Sequence, residues 1–414
     1  MIDLVHLRNN QEAVRQALHK KEPSFDVDAL IEKDRCVREL LLAVEEQRKI
    51  KNDLAKEASK SGMTSSLREQ SLKIGEQLKK LEAELKEEET AFNKLYLACP
   101  NVPDQDLPEG NKESNFVAKE WGTKREFGFE PKHHMQLNET AHWFDLDVAA
   151  RMSGGQFVLY LPEGAKIIYA LTQMMLRNNV KHGFSVIVPP VLVRDQALYN
   201  SGNLPKFEGD FYRMEADGLC LIPTAEVSLT NMYAQEILSV EQLPVRHTAW
   251  TSCFRREAGG YGASERGLIR IHQFEKVELY SVCKPENSQQ ELDLIVSCAE
   301  KLLQDLELPY QITLLAGQDC SFSSARTYDV EVWLPGQKRF YEVSSCSNCT
   351  DFQARRSGIR YRATKDAKPQ LVHTLNGSSL ALPRLMVALM ENFQEADGTI
   401  SLPAKLKEVL ATLW

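Results

Sequence analysis

The residues best suited to binding an anion are concentrated between Cys253 and Tyr280. Glycines there would let the backbone approach a ligand closely, and charged side chains flank them. These residues are Gly259, Gly260, Gly262, Gly267, Arg255, Glu257, Arg266 and Arg270. The second half alternates, which predicts a strand with one apolar face (Ile269, Ile271, Val277, Leu279) and one polar face (Arg270, His272, Lys276, Glu278). A glycine-rich hairpin with surface ion pairs explains the same residues equally well.

A second cationic position ends the segment HTLNGSSLALPR, residues 373–384. Pro383 suits the first position of a helix, which would place Arg384 in the first turn. A cation there opposes the helix dipole at a cost of about a few tenths of a kcal/mol. A phosphate that faces both the arginine and the helix start would offset this cost, so the pattern favours anion binding over surface decoration.

Two carboxylates stand in apolar surroundings where they could contact a ligand. Glu342 lies in FYEVSSCSNC, residues 340–349, which follows a Pro335-Gly336 turn. It is either a satisfied charge at a sheet edge or an oxygen ligand for magnesium held on phosphates. In LIPTAEVSLT, residues 221–230, Thr224 and Glu226 are predicted on one side of a strand. There they could bind a substrate ammonium group or simply edge a sheet.

A segment of different character precedes these elements. Residues 27–97 contain no proline and only two glycines, and apolar positions from Leu67 to Leu95 recur in steps of four and three. This pattern predicts an antiparallel two-helix coiled-coil arm, with Ser66 and Glu69 as a capping box at the second helix. The predicted tip is basic and carries Arg48, Lys49, Lys51, Lys56 and Lys60. Such a tip suits a nucleic-acid backbone, although a solvated face of an ordinary spacer would have the same composition.

A stretch with Pro100, Pro103 and Pro108 ends the arm and predicts a linker to about residue 112. The chain beyond it alternates strand and helix patterns irregularly. It has no glycine-rich loop followed by Lys-Ser or Lys-Thr, as a P-loop nucleotide site would need. We therefore expect an α+β fold, with an antiparallel sheet flanked by helices.

Composition narrows the class of protein further. The 414 residues carry 50 Lys plus Arg against 58 Asp plus Glu, and 43% are hydrophobic, which excludes a disordered chain and one coated in positive charge. Apolar runs fall short of the ~18 residues of a membrane span, and no signal-peptide pattern opens the chain, so we expect a soluble cytoplasmic protein. Nine scattered cysteines indicate reduced thiols. Cys346 and Cys349 lack the second pair that a zinc site would want, so no zinc is expected.

In combination, these motifs resemble the seryl-tRNA synthetase family of class II aminoacyl-tRNA synthetases. The matching segments include DLVHLRNNQEAVRQAL, PNVPD, LIPTAEV, FRREAG, RGLIRIHQFEKVEL, FYEVSSCSNCTDFQARR and HTLNGS. The resemblance implies an N-terminal tRNA-binding domain over residues 1–112, with its arm at about 27–97. It also implies a catalytic domain with the class II sheet over residues 113–414, and a homodimer formed through Gly183 to Pro190. The implied activity is ATP- and Mg²⁺-dependent activation of L-serine to seryl-adenylate and transfer to tRNA(Ser), and also to tRNA(Sec).

The resemblance also implies roles for individual residues. Arg255 would bridge the substrate carboxylate and the α-phosphate, and Arg384 would lie against the γ-phosphate, which makes both catalytic. The implied ATP-binding residues are Arg255, Arg256, Glu257, Arg270, Glu342, Val343, Ser344, Ser345 and Arg384. The implied serine-binding residues are Thr224, Ala225, Glu226, Arg255, Glu278 and Ser378. Glu342 and Ser345 would hold Mg²⁺, and the basic arm residues named above would contact tRNA. For Glu342 and Ser345 to face one side, the strand must turn or bulge after Ser344.

The chain departs from the family pattern at Arg256, Ser379 and Pro383, and in a loop at Ala263, Ser264 and Glu265. Two alternatives stay open. One is a catalytically altered paralogue that acts as a dimeric binding module, and the other is an enzyme that loads a non-tRNA acceptor. Retention of the charged residues with assigned roles disfavours the first alternative, and the presence of the long arm disfavours the second.

Overall fold

The computed structural model describes residues 1–257 and 267–414. The helices in these ranges are α1 (Leu4–Asn9), α2 (Gln11–Lys21), α3 (Val27–Ser61), α4 (Ser65–Ala98), α5 (His134–Ala141), α6 (Leu146–Ser153), α7 (Pro162–Lys181), α8 (Asp195–Ser201), α9 (Ala225–Asn231), α10 (Ser288–Asp305), α11 (Phe352–Ser357), α12 (Leu382–Asn392) and α13 (Ala404–Leu413). None of them combines the length and the apolar character that crossing a lipid bilayer requires.

The strands in the same ranges are β1 (Phe116–Trp121), β2 (Phe144–Asp145), β3 (Leu159–Tyr160), β4 (Ser185–Val186), β5 (Leu192–Arg194), β6 (Arg213–Met214), β7 (Leu219–Leu221), β8 (Ile237–Ser239), β9 (Val245–Phe254), β10 (Gln273–Cys283), β11 (Tyr310–Leu314), β12 (Arg326–Leu334), β13 (Arg339–Asn348), β14 (Arg360–Arg362), β15 (Gln370–Leu371) and β16 (His373–Ala381). Gly259, Gly260, Gly262, Ala263, Ser264, Glu265 and Arg266, which the sequence analysis singled out, lie outside the described residues.

The chain divides into two compact units. One unit is Asp3–Pro100, and the other consists of Met1–Ile2 together with Asn101–Trp414. The linker residues 101–112, which the sequence analysis grouped with the first domain, therefore cluster with the larger unit. The functions assigned to the two domains stay predictions at this point.

The smaller unit contains the predicted helical hairpin. Helices α3 and α4 pack through a seam of apolar side chains, namely Val37, Leu40, Val44, Leu78, Leu81, Leu85 and Phe92. Lys33 on α3 donates to Glu88 on α4 at 2.7 Å, as expected where two helices run antiparallel. The predicted cap at Ser66 is wrong, because Thr64 caps α4 and accepts from the Leu67 amide at 3.2 Å. The connection from Gly62 to Thr64 joins the helices.

The larger unit is built on an eight-stranded sheet in the order β1-β11-β12-β13-β16-β10-β9-β4. Neighbouring strands are antiparallel except β4, which runs parallel to β9. The predicted α+β class, with an antiparallel sheet flanked by helices and preceded by a helical arm, is confirmed.

Alternation along the central strands separates a packed face from a polar one. Val277 and Leu279 on β10 and Leu375 on β16 join a core that includes side chains of α7, α10 and α12. Because successive side chains point to opposite faces of a sheet, Glu278 and Asn376 face away from that core. Ile269 and Ile271 are buried as predicted, but β10 begins only at Gln273, so the predicted strand starts too early.

Candidate functional site

A cavity of about 450 Å³ lies on the polar side of the central strands. Of the 14 residues proposed from the sequence to bind ATP or serine, nine line it: Thr224, Glu226, Arg255, Glu257, Arg270, Glu342, Ser345, Ser378 and Arg384. Five others do not. Arg256 is exposed, and Ala225, Glu278, Val343 and Ser344 are buried in the surrounding protein. The cavity therefore unites side chains drawn from distant parts of the sequence.

Thr224 and Glu226 lie at the start of helix α9. The prediction of a strand here is wrong, because Thr224 is the N-cap of α9 and its hydroxyl accepts from the Glu226 amide at 3.2 Å. The hydroxyl also accepts from the Lys276 ammonium at 2.8 Å and donates to Glu278 at 3.1 Å. Capping therefore fixes Thr224 at the junction of the helix and the sheet.

Glu278 is fully buried behind the cavity wall. Its carboxylate forms an ion pair with Lys276, which lines the cavity, and its second oxygen lies 3.5 Å from the Asn376 amide nitrogen. Directly opposite Glu278 in the sheet stands Ser378. Strand β16 has a bulge directly after Ser378, because Ser379 has no partner residue on β10. The Ser379 hydroxyl lies 3.2 Å from Asn179 Oδ1. The departure at Ser379 is thus directed away from the cavity.

Glu226 has an unusual electrostatic environment. Burial, followed by the charge of nearby Glu278, raises the pKa of Glu226 to about 7. The Gln353 amide donates to its carboxylate at 2.6 Å, and this bond acts in the opposite direction, as do the charges of Lys276 and Arg255. A ligand cation placed here would favour the ionised carboxylate.

Arg255 is the cavity cation best placed to receive an anion. Its Nε donates to the Pro223 carbonyl at 3.3 Å, and its guanidinium lies 5.2 Å from the centre of the Phe274 ring. Of the four Lys and Arg side chains that line the cavity, Arg270 pairs with Glu257, Lys276 with Glu278, and Arg384 with Glu342. Arg255 has no such carboxylate partner among the described residues.

Arg384 lies in the first turn of α12, as predicted. Its guanidinium is 3.1 Å from the Glu342 carboxylate and donates to the Glu342 carbonyl at 3.0 Å. The guanidinium also lies 5.2 Å from the centre of the Tyr341 ring. These contacts hold Arg384 and the carboxylate together on the cavity wall, where a phosphate could meet both the arginine and the helix start.

Glu342 and Ser345 line the same cavity because β13 is irregular. Glu342 pairs with Glu331 and Ser344 with Val330, which leaves Val343 as the extra residue of a bulge. The predicted bend therefore exists, but it precedes Ser344 rather than following it. This shift reverses the alternation between residues 342 and 345.

These residues fit a hard cation. Asp329 stands opposite Ser345 in the sheet, and its buried Oδ1 has no hydrogen-bond partner among the described residues. Burial first, and then the nearby Glu342 carboxylate, raise the pKa of Asp329 well above its usual range. Clustered carboxylate and hydroxyl oxygens are the ligands that Mg²⁺ prefers.

Cys346 and Cys349, the Cys-x-x-Cys pair of the sequence, are both buried. Cys346 Sγ lies 3.4 Å from the Ser344 hydroxyl.

The basic residues of the arm are all exposed. Arg48 pairs with Glu82 on the other helix at 2.7 Å, and Lys56 pairs with Asp53 at 3.2 Å. Lys49, Lys51 and Lys60 make no ion pair within the described ranges. These three lysines are therefore the ones most available to an external anion.

Sequence reasoning missed two residues that line the cavity, Lys276 and Asn376, and a third, Gln353, that contacts Glu226 from outside the cavity lining. Lys276 was placed on the correct strand face but given no role, and Asn376 and Gln353 were not singled out at all. Asn376 is two residues before Ser378 on the same strand, so alternation alone could have indicated it. Gln353 reaches Glu226 from helix α11, and this contact leaves no local signal in the sequence.

Comparison with known proteins agrees with this arrangement. Two family models match the chain: the seryl-tRNA synthetase N-terminal domain over residues 1–103, and the tRNA synthetase class II core domain (G, H, P, S and T) over residues 207–393. A serine–tRNA ligase of Desulfitobacterium hafniense (strain Y51) is 42% identical over 99% of both chains. Another from Acidithiobacillus ferrooxidans (strain ATCC 53993 / BNL-5-31) is 44% identical over 99% of this chain and 98% of its own. The solved structure of seryl-tRNA synthetase from Pyrococcus horikoshii complexed with ATP has a TM-score of 0.93, with 33% identity over 99% of this chain and 98% of that chain.

Proposed function

The chain belongs to the seryl-tRNA synthetase family and charges tRNA with serine, and we propose that it does so through a seryl-adenylate formed in the cavity described above. One observation carries the proposal. A single cavity contains a hydroxyl and carboxylate group at Thr224 and Glu226, a cation at Arg255 that has no carboxylate partner in the described part of the chain, and a pair at Glu342 and Arg384 suited to a magnesium-bound phosphate. These are the charges that an amino acid and a triphosphate require.

In the first step, the serine ammonium would bind Glu226 and Thr224, and the serine hydroxyl would bind Glu278 and Ser378. A carboxylate oxygen of serine then attacks the α-phosphorus of ATP, so that one oxygen–phosphorus bond forms and the bond to pyrophosphate breaks. Arg255 would neutralise negative charge at the reacting phosphate. The reaction needs positioning and electrostatic stabilisation but no enzyme nucleophile.

The remaining charged residues would hold the β- and γ-phosphates of ATP. Arg270 and Arg384 would act there with the backbone of Val343 and Ser344, and Arg256 is proposed as a further contact. Glu257 would support ATP binding through its ion pair with Arg270. Glu342 and Ser345 would hold Mg²⁺, which when bound supplies positive charge to the phosphates. Arg384 at the start of α12 would add its charge to that of the helix terminus.

In the second step, a ribose hydroxyl of the terminal adenosine of tRNA would attack the activated carbonyl and release AMP. We propose tRNA(Ser) as the acceptor, and tRNA(Sec) as a further one, bound through the basic residues of α3. This arm supports a tRNA acceptor over a non-tRNA acceptor. A tRNA substrate also supports a cytoplasmic location.

A homodimer is proposed through residues 183–190. Two apolar side chains of this segment are unusually exposed, with Val186 at 47% and Val188 at 90% of their full accessibility. Strand β4 also forms the edge of the large sheet. A second copy of the chain would cover these side chains and the strand edge.

ATP–pyrophosphate exchange with each of the twenty amino acids tests the proposed function. Serine should be the best substrate. Threonine should follow only weakly, because its extra methyl must be excluded by lack of room, and alanine should be rejected because it leaves buried polar groups unpaired. Exchange that does not depend on serine, or that prefers another amino acid, would contradict the proposal. Charging assays with purified tRNA(Ser) and tRNA(Sec) then test the acceptors separately.

The raised pKa of Glu226 predicts how serine recognition depends on pH. Below about pH 7 the carboxyl is protonated and loses its attraction for the serine ammonium. The KM for serine should therefore fall about tenfold between pH 6 and pH 8, because the ionised fraction rises by that factor around a pKa of 7. Steady-state exchange across this range at saturating ATP measures the effect. Glu226→Gln should bind serine weakly and show a flat profile, whereas an unchanged slope in this variant would exclude Glu226 as the titrating group.

A further inference from the structure

A buried histidine–glutamate pair lies outside the cavity lining. His134 begins α5 and Glu391 lies near the end of α12, and both side chains are completely inaccessible to solvent. His134 Nδ1 lies 3.3 Å from Glu391 Oε1, and His134 Nε2 lies 3.4 Å from the backbone nitrogen of Leu268. Since that amide can only donate, Nε2 must accept and Nδ1 must carry the proton towards Glu391. We refer to His134 and Glu391 as the buried pair.

Glu391 also connects two other elements. Its Oε1 accepts from the His134 backbone amide at 3.2 Å and from the Gln337 side-chain amide at 3.0 Å, and its Oε2 accepts from the Gly336 amide at 3.0 Å. Gly336 and Gln337 form the turn between β12 and β13. A single carboxylate therefore binds α12, the N-terminus of α5 and the β12–β13 turn to one another.

Of the four segments that meet at the buried pair, three carry or adjoin a residue proposed to bind ATP, namely the Leu268 segment, α12 and the β12–β13 turn. Leu268 is two residues before Arg270, α12 carries Arg384 in its first turn, and β13 carries Glu342 after the shared turn. We propose that the buried pair is a positioning unit that sets the spacing of Arg270, Arg384 and Glu342, and thereby the affinity for the triphosphate. This inference rests on the proposed function, because it presumes that ATP occupies the cavity.

The backbone near Leu268 is shaped for close approach to His134. Gly267 has a positive φ of +77°, and a Cβ added there would lie 2.2 Å from His134 Nε2 and 2.7 Å from the Met135 sulfur. No other residue could occupy this position without displacing the imidazole or the following amide. The contact therefore requires a histidine on α5 and a glycine at 267 together.

A metal ion is the competing explanation for this group. His133, His134 and Glu391 offer ligand atoms that all lie within 4.8 Å of one another. However, both ring nitrogens of His134 already have hydrogen-bond partners, and the His133 ring accepts from the Met135 amide at 3.3 Å. A metal would have to displace these bonds, so a positioning role accounts better for the contacts.

Two amide variants test the two ring-nitrogen contacts of His134 one at a time. His134→Asn retains a donor near the Nδ1 position but loses the acceptor for the Leu268 amide. His134→Gln retains an acceptor near the Nε2 position. The KM for ATP in pyrophosphate exchange should rise about fivefold or more in His134→Asn, since small misplacements of binding groups are costly. It should rise less in His134→Gln, and the KM for serine should change less than twofold in both variants.

Further variants and a metal analysis complete the test. Gly267→Ala should reproduce the selective rise in the KM for ATP, because its Cβ would displace the imidazole or the Leu268 amide, so the test stands even if His134→Asn does not fold. His133→Asn is the matched control, because asparagine also caps helices well and should leave both KM values unchanged. Equal changes in the two KM values, or none in any His134 or Gly267 variant, would overturn the inference. So would a stoichiometric metal ion bound to wild type and lost in His134→Asn. If the wild-type protein shows no serine-dependent exchange, this result overturns the proposed function instead.

Discussion

Replacing Arg255 with alanine is expected to lower serine-dependent ATP–pyrophosphate exchange by about 10²–10³-fold, the range found when one preorganised donor to a transition state is removed. The reason is electrostatic. Among the described residues, Arg255 is the cavity cation without a carboxylate partner, and contacts with the Pro223 carbonyl and the Phe274 ring hold it in place before any ligand arrives. Its loss should reduce kcat more than it raises the KM for ATP, because the other cations remain.

Two further variants make this result specific. Arg255→Lys keeps the charge but loses the planar fork, so it should fall between wild type and alanine. Arg151→Ala, an exposed position on α6, should leave exchange unchanged. Circular dichroism and the mass in solution must match wild type for each protein. Near-wild-type exchange by Arg255→Ala would remove Arg255 from the mechanism.

The arm and the sheet could be predicted from sequence because their patterns repeat. Apolar positions such as Leu78 and Leu85 recur at helical spacing and are buried in the α3–α4 seam. Alternation likewise assigned Lys276 and Glu278 to one strand face. Each of these predictions needs only the period of an element and the fact that one side is buried.

Predictions that depend on local irregularity were less accurate. Thr224 was placed in a strand, although a threonine followed by Glu226 in the first turn is also typical of a helix N-cap. The bulge in β13 was expected after Ser344 but lies at Val343. A bulge is set by the register of both strands, and a single sequence does not reveal which residue of the partner strand is skipped.

The degree to which a polar residue is buried could not be predicted from the sequence either. Glu278 was expected to contact serine, and it is fully buried behind Lys276, which bonds both Thr224 and Glu278. Buried charges are stabilised by partners from other elements, and these partners become known only when the fold is known. In the proposed complex, serine must therefore share the Glu278 carboxylate with Lys276.

Replacing residues 27–97 with a short linker is expected to separate the two steps of the reaction. Serine-dependent exchange should stay within about twofold of wild type, since all the residues proposed for it lie in the unit that contains Asn101–Trp414. Aminoacylation of tRNA(Ser) should fall on the order of 10²-fold or more, because contacts with the phosphate backbone dominate affinity for nucleic acid. Parallel assays of exchange and charging on one preparation measure both quantities. An equal loss in both would contradict the role assigned to the arm.

A charge-reversal variant tests whether the basic residues at the tip account for the expected fall in aminoacylation. Lys49, Lys51 and Lys60 are exposed and make no ion pair among the described residues, so their replacement by glutamate disturbs no bond within the arm. Each phosphate contact that disappears should reduce the slope of log affinity against log salt concentration by about 0.9. Lys94→Glu near the base of α4 is the control, and it should leave this slope unchanged. If the triple variant keeps the wild-type slope, these three lysines do not contact tRNA, because a lysine that stays in solvent releases no counterions when tRNA binds. The tRNA contacts would then lie elsewhere on the arm.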